Sequence, residues 1–195
     1  QTLIEHWNGR EWKVIPSPNP AGAISSFLNG VSIVGNSAWA VGTTQDASGV
    51  LHPLIERWDD GVWKIVSSPD SSLQSSNLQA VSAVSKNDVW AVGNFMVSQN
   101  QERALIEHWN GDVWTFVPGA PAISGMLNGV SAIAKDDVWG VGNSYDASGS
   151  PLALIEHWDG NGWQTVNAGA LPASISYSVL NAVSARSEED AWVVG

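Results

Sequence analysis

Apolar and polar positions alternate with a period of two through four short segments that recur in the same order along the chain, most plainly in the third copy. The alternation predicts strands over residues 127–133, 137–142, 154–158 and 163–166, designated A to D within a repeat. The polar turn Ala134-Lys135-Asp136 separates A from B, and Asp159-Gly160 turns C into D. No segment carries a helical period.

The segment Leu-Ile-Glu-His-Trp makes the repeat explicit. It stands at residues 3–7, 105–109 and 154–158, and at 54–58 with Arg57 in place of histidine, in steps of 51, 51 and 49 residues. Two further tryptophan series keep the step: Trp12, Trp63, Trp114 and Trp163 on strand D, and Trp39, Trp90, Trp139 and Trp192 on strand B. Together the three series account for all 12 tryptophans. A large aromatic on a fixed period is a packing residue, because tryptophan buries much apolar area. Strand A is small, reading Gly-Val-Ser or Ala-Val-Ser from Gly30, Ala80, Gly129 and Ala182, which suits a crowded axis. Strand D carries Lys13 and Lys64 and runs into Pro16, Pro69 or Pro118, which discourage an open edge from pairing with another chain.

A small inner strand, a proline-guarded outer strand and a Ser/Pro/Gly-rich crossing to the next copy describe a β-propeller blade. The fold expected is all-β, a propeller of four blades of ~50 residues, each four-stranded and antiparallel. Three blades are whole and one is split between the termini. The divisions are residues 1–19 (outer half-blade), 27–69, 77–119 and 126–168 (blades) and 178–195 (inner half-blade) of a single domain. The halves complete one blade of a closed ring, or the chain is a segment of a larger repeat array: the other copies continue past Val-Gly, so the chain reads as stopping inside a repeat.

Leu-Asn-Gly-Val-Ser from Leu127, Asp-Val-Trp-Gly-Val-Gly from Asp137 and Asp-Gly-x-x-Trp from Asp159 resemble the blade of bacterial exported propellers, including the photosystem II assembly factor type. The likeness runs the length of the chain. The Trp-[Asn/Asp]-Gly-x-x-Trp hairpin also resembles the Asp-box of sialidase-like propellers, a structural turn between the third and fourth strands. It departs from that motif by lacking the leading Ser/Thr and, at Asp59-Asp60-Gly61, by moving the glycine one place. The resemblance implies a propeller and carries over no active site.

Composition narrows the function. The chain is 44% hydrophobic and 14% charged, with no run of 18 apolar residues to span a bilayer. Nineteen acidic against eight basic residues give a net charge of -11, which repels nucleic acid and anionic membrane. Cysteine is absent, removing disulfides, thiolate nucleophiles and cysteine zinc sites. Most acidic residues sit at repeat-equivalent positions, Glu11, Asp70 and Glu102 excepted, and no arginine cluster accompanies those three. Neither a phosphate-cradling loop nor a nucleophile elbow occurs. The expectation is therefore no catalytic residues, no metal ligands and no cofactor.

Glu5, Glu56, Glu107 and Glu156 with His6, His108 and His157 lie on strand C, a whole blade apart, and are expected to serve the structure in contact with the C-to-D hairpin. Asp88, Asp137 and Asp190 open strand B, where a carboxylate caps a tight turn. Asn29, Gln79, Asn128 and Asn181 open strand A and are expected to ring the channel mouth. The A-to-B and C-to-D turns share one uniform face. The B-to-C connections, residues 43–53, 94–104 and 143–153, lie on the other and differ from copy to copy, so binding is expected there, through Gln45, Asp46, Phe95, Met96, Tyr145 and Asp146. The function expected is a non-catalytic binding or scaffold propeller, extracellular or at the cell surface, recognising protein or carbohydrate. A structural subunit of an extracellular fibre, self-associating into a larger ring or array, and a non-catalytic part of a secreted glycoside hydrolase are the alternatives.

Overall fold

The computed structural model describes residues 1–69, 75–99, 101–120, 124–169 and 177–195. All regular structure among them is strand. The chain opens with β1 (Ile4–Trp7) and β2 (Trp12–Ile15), a two-stranded sheet. Three four-stranded sheets follow, each in the order A-B-C-D. The first is β3 (Ser25–Val34), β4 (Ser37–Gln45), β5 (Leu51–Asp59) and β6 (Val62–Val66). The second is β7 (Ser76–Ser85), β8 (Asp88–Ser98), β9 (Gln101–Trp109) and β10 (Trp114–Phe116). The third is β11 (Gly125–Ala134), β12 (Asp137–Tyr145), β13 (Pro151–Trp158) and β14 (Trp163–Thr165). A second two-stranded sheet, β15 (Ala182–Ser187) with β16 (Asp190–Val194), closes the sequence. These are antiparallel blades of a β-propeller, with strand D at the rim as its lysines and prolines anticipate.

The blades stack face to face, so a middle sheet buries both faces. On β8, Val89 and Ala91 point into the core shared with the first whole blade, while Trp90 and Val92 point into the core shared with the third. That is why strand B reads as a nearly continuous apolar run and still alternates.

The three tryptophan series meet at these seams. Trp39 on strand B of the first whole blade lies 5.0 Å from Trp109 and 5.2 Å from Trp114, the C and D tryptophans of the next. One seam later Trp90 lies 5.2 Å from Trp158 and 5.6 Å from Trp163. Each repeat thus contributes one ring to the seam ahead and two to the seam behind. The indole N–H of Trp109 and of Trp158 donates to the carbonyls of Lys86 and Lys135, fastening strand C to the A-to-B turn.

Near the axis the A strands almost touch. A Cβ on Gly30 would stand 3.0 Å from Ala80 Cα, and one on Gly129 3.0 Å from Ala182 Cα, so small residues are required on both sides. The serine of each Val-Ser pair ties the strands together: Ser32, Ser82 and Ser131 hydroxyls accept the backbone N–H of Ala83, Ala132 and Ala185 at 3.1, 2.9 and 3.1 Å. No strand pairing links the two terminal sheets, β1-β2 and β15-β16. Trp192 is 76% exposed, against 1% for its counterpart Trp90, because no neighbouring tryptophan pair covers it.

Candidate functional site

Strand C places its glutamate inside the seam, a different partner from the hairpin expected. Glu56, Glu107 and Glu156 are buried, at most 1% exposed. Each faces the tail of strand D in the preceding blade. Ser17 and Ser68 on those tails donate their hydroxyls to Glu56 Oε2 and Glu107 Oε1, both at 2.7 Å. At the third seam the equivalent position is Gly119, and Glu156 receives the backbone N–H of Ala120 at 3.5 Å. Burial pushes the carboxyls of Glu56 and Glu156 above the ordinary glutamate value, with the hydrogen bonds from Ser17 and Ala120 acting the other way.

The strand-C histidines have a role of their own. His108 and His157 rings lie 4.2 Å from those of Trp90 and Trp139, and each Nε2 meets the aspartate that opens strand B, Asp88 at 2.8 Å and Asp137 at 2.9 Å. Those aspartates, the first residues of strand B, therefore hold a histidine across the sheet, where a turn cap was expected. In the first whole blade both partners change together: Ser37 replaces the aspartate, and Arg57 sets its guanidinium 5.2 Å from Trp39 and 5.8 Å from Trp109. A cation over the indole face replaces an aspartate-oriented imidazole.

The B-to-C connections are more regular than their sequences suggest. Pairing continues to Gln45↔Leu51, Ser98↔Gln101 and Tyr145↔Pro151, so most of the variable residues sit on hairpin ends. Asp46 and Asp146 close four-residue turns by accepting the N–H of Ser48 with Val50, and of Ser148 with Ser150. Both carboxyls are held below the usual aspartate range, Asp46 chiefly by the hydrogen bond with His52 at 2.9 Å and Asp146 chiefly by the Ser148 hydroxyl at 2.6 Å, with these backbone N–H groups adding to each. Gln45 donates to the Gly49 carbonyl of the same turn.

Met96, Glu102, Ser124, Tyr145 and Gly149 line a cavity of about 380 Å³ shared by the second and third whole blades. Tyr145 donates its hydroxyl to Glu102 Oε1 at 2.8 Å, and that contact, with burial, pushes the phenol above its ordinary value. The structure thus brings Met96 and Tyr145 together and adds Glu102, whose position outside the repeat was its signal. Phe95 is parted from Met96 by the alternation of β8 and meets Phe116 edge-on, ring centroids 6.0 Å apart.

The residues expected at the channel mouth span neighbouring blades. Asn29 and Asn128 donate their amides to the carbonyls of Leu78 and Leu180 at 2.8 and 2.9 Å, joining successive A strands. Gln79 lies on β7, and the Asn181 backbone N–H donates to the carbonyl of Val194. Among the described residues no group of three or more His, Asp or Glu side chains converges on a point where an ion would sit.

The fold and this arrangement of seams and hairpins define a β-propeller repeat protein, in keeping with the resemblance seen in the sequence. Among solved structures the chain is similar to "YCF48 bound to D1 peptide", with a TM-score of 0.53, 16% identity, and coverage of 90% of this chain and 50% of that one. It is likewise similar to YCF48 from Cyanidioschyzon merolae, with a TM-score of 0.53, 16% identity, and coverage of 86% and 49%. At that identity the likeness concerns the fold, and the chain spans about half the length of those proteins. Neither family models nor curated protein sequences give a match.

Proposed function

We propose that the protein is a non-catalytic binding propeller that engages an extended segment of a protein partner on the B-to-C face. The observation carrying this reading is the cavity where Met96, Glu102 and Tyr145 meet. It is built from residues that depart from the repeat, on hairpin ends held by a rigid scaffold. A Tyr hydroxyl held by a carboxylate beside a methionine offers a polar grip and an adaptable apolar contact, the combination that suits a peptide. The solved propeller of similar fold carrying a peptide supports the class of ligand.

The test is a peptide array of fixed 15-residue segments, with hits measured by fluorescence anisotropy. Met96→Ser and Tyr145→Ala are expected to weaken the hits at least tenfold while leaving the unfolding midpoint unchanged. Glycan binding with no peptide hit, or peptide binding indifferent to both substitutions, would refute the reading. A second reading, assembly into a larger array, is favoured by the uncovered Trp192 on β16 and by the exposed Trp7 and Trp12. Light scattering tests it: growth of mass with concentration supports assembly, and a constant monomer mass rejects it.

A further inference from the structure

One break in the repeat falls on the cap of a buried glutamate. Where Ser17 and Ser68 cap the buried glutamate of the next blade, the third copy has Gly119, whose missing Cβ would stand 3.3 Å from Glu156 Oε2. The missing hydroxyl is not replaced by another strong donor among the described residues, since the Ala120 N–H at 3.5 Å is beyond ordinary hydrogen-bond length. Glu156 instead lines a cavity of about 460 Å³ with Phe95, Arg103, Phe116, Pro118 and Leu154. That volume lies in the range of small-ligand pockets, and mostly apolar walls around one buried polar group are their usual make-up. A carboxyl buried without a good partner is costly to keep, so an occupant that supplies a donor gains the interaction that Ser17 and Ser68 make elsewhere.

We propose that this cavity is a binding site for an apolar ligand ending in a hydroxyl group, which donates to Glu156 as the serine hydroxyl does in the other seams. Its lining shares no residue with the Met96–Tyr145 cavity, so the site stands whether or not that face binds peptide. The hydroxyl has two sources, a free small molecule or a tyrosine side chain of a bound segment.

The test titrates benzyl alcohol, N-acetyltyrosinamide and toluene into the whole chain, following the backbone amide signals of Gly119 and Ala120 by NMR. Benzyl alcohol is expected to bind saturably and toluene at least tenfold more weakly. Binding of benzyl alcohol alone assigns the site to small molecules, and tighter binding of N-acetyltyrosinamide assigns it to a side chain. Gly119→Ser, which restores the hydroxyl from within, should abolish binding while retaining the tryptophan near-ultraviolet circular dichroism. Glu156→Gln, of the same shape, should weaken it by up to about tenfold, because a neutral amide oxygen accepts the hydroxyl less strongly than a carboxylate. Equal affinity for toluene and benzyl alcohol, undiminished binding in a folded Gly119→Ser protein, or no saturable binding of either hydroxyl probe would overturn the proposal.

Discussion

The two seams between whole blades share their tryptophans and their buried glutamate and differ at the residue that caps that glutamate, besides the exchange of His108 for Arg57 against the strand-B tryptophan. Both set a strand-B tryptophan against two from the next blade, Trp39 on Trp109 and Trp114, Trp90 on Trp158 and Trp163. Both bury a strand-C glutamate, Glu107 in one and Glu156 in the other. In the first seam Ser68 closes on that carboxylate at 2.7 Å, and in the second Gly119 leaves a cavity beside it. In a repeat protein the positions that obey the period build the scaffold, and those that break it are free for another use.

The largest effect is expected where the seams are alike. Trp90→Ala removes the centre of its tryptophan cluster and should cost about 3 to 5 kcal/mol of unfolding free energy in urea titration. A cost below about 1 kcal/mol would show that the cluster is not the seam's core. The capping hydroxyl comes next. Ser68→Ala makes the first seam resemble the second, and the loss of a hydrogen bond to a buried carboxylate should cost about 1 to 3 kcal/mol. A neutral result would show that the serine does not stabilise its seam.

The smallest effect lies in the dependence on pH. The Glu156 carboxyl is raised in the folded protein by burial, so the native state holds its proton into a range where the unfolded chain has released it. Its contribution to stability is fully present below the ordinary glutamate range and is lost as pH rises through the raised native value. Glu156→Gln should flatten the fall of stability over that window, by less than about 1.4 kcal/mol per pH unit, the limit for one proton. Glu56, raised in the same direction, keeps part of the slope. An unaltered slope would remove Glu156 from the account.

Strand order, the A-to-B and C-to-D turns within a blade, and the edge position of strand D were legible because a period of two and a fixed turn chemistry are local signals. The tryptophan series announced a core, although period alone does not say that three series from two repeats share one seam. The Asx turns show the limit of motif spelling. Asn8, Asn110 and Asp159 each accept two backbone N–H groups, whereas the shifted glycine of Asp59-Asp60-Gly61 forms a tight turn with Asp60 at φ 51° and Gly61 at φ 82°. Both join C to D.

The serine caps were hidden because Ser17 and Ser68 lie 39 residues from their glutamates, on what reads as a crossing. The signal was present nonetheless: Ser17, Ser68 and Gly119 keep the 51-residue step, and Glu56, Glu107 and Glu156 are their counterparts one blade on. Glu102 was marked by standing outside the repeat, but its meeting with Met96 and Tyr145 depends on how two hairpin ends lean together across a seam, which no local pattern encodes.

The carbon-13 signal of the Glu156 carboxyl, titrated in the wild-type protein and in Gly119→Ser, tests the open seam most directly. A serine hydroxyl acts on Glu56 in the lowering direction, so Gly119→Ser should bring the Glu156 midpoint down from its raised wild-type position toward the ordinary glutamate range. Coincident midpoints in the two proteins, with the fold intact, would contradict the claim that Glu156 lacks in its own seam the hydroxyl that caps the other two.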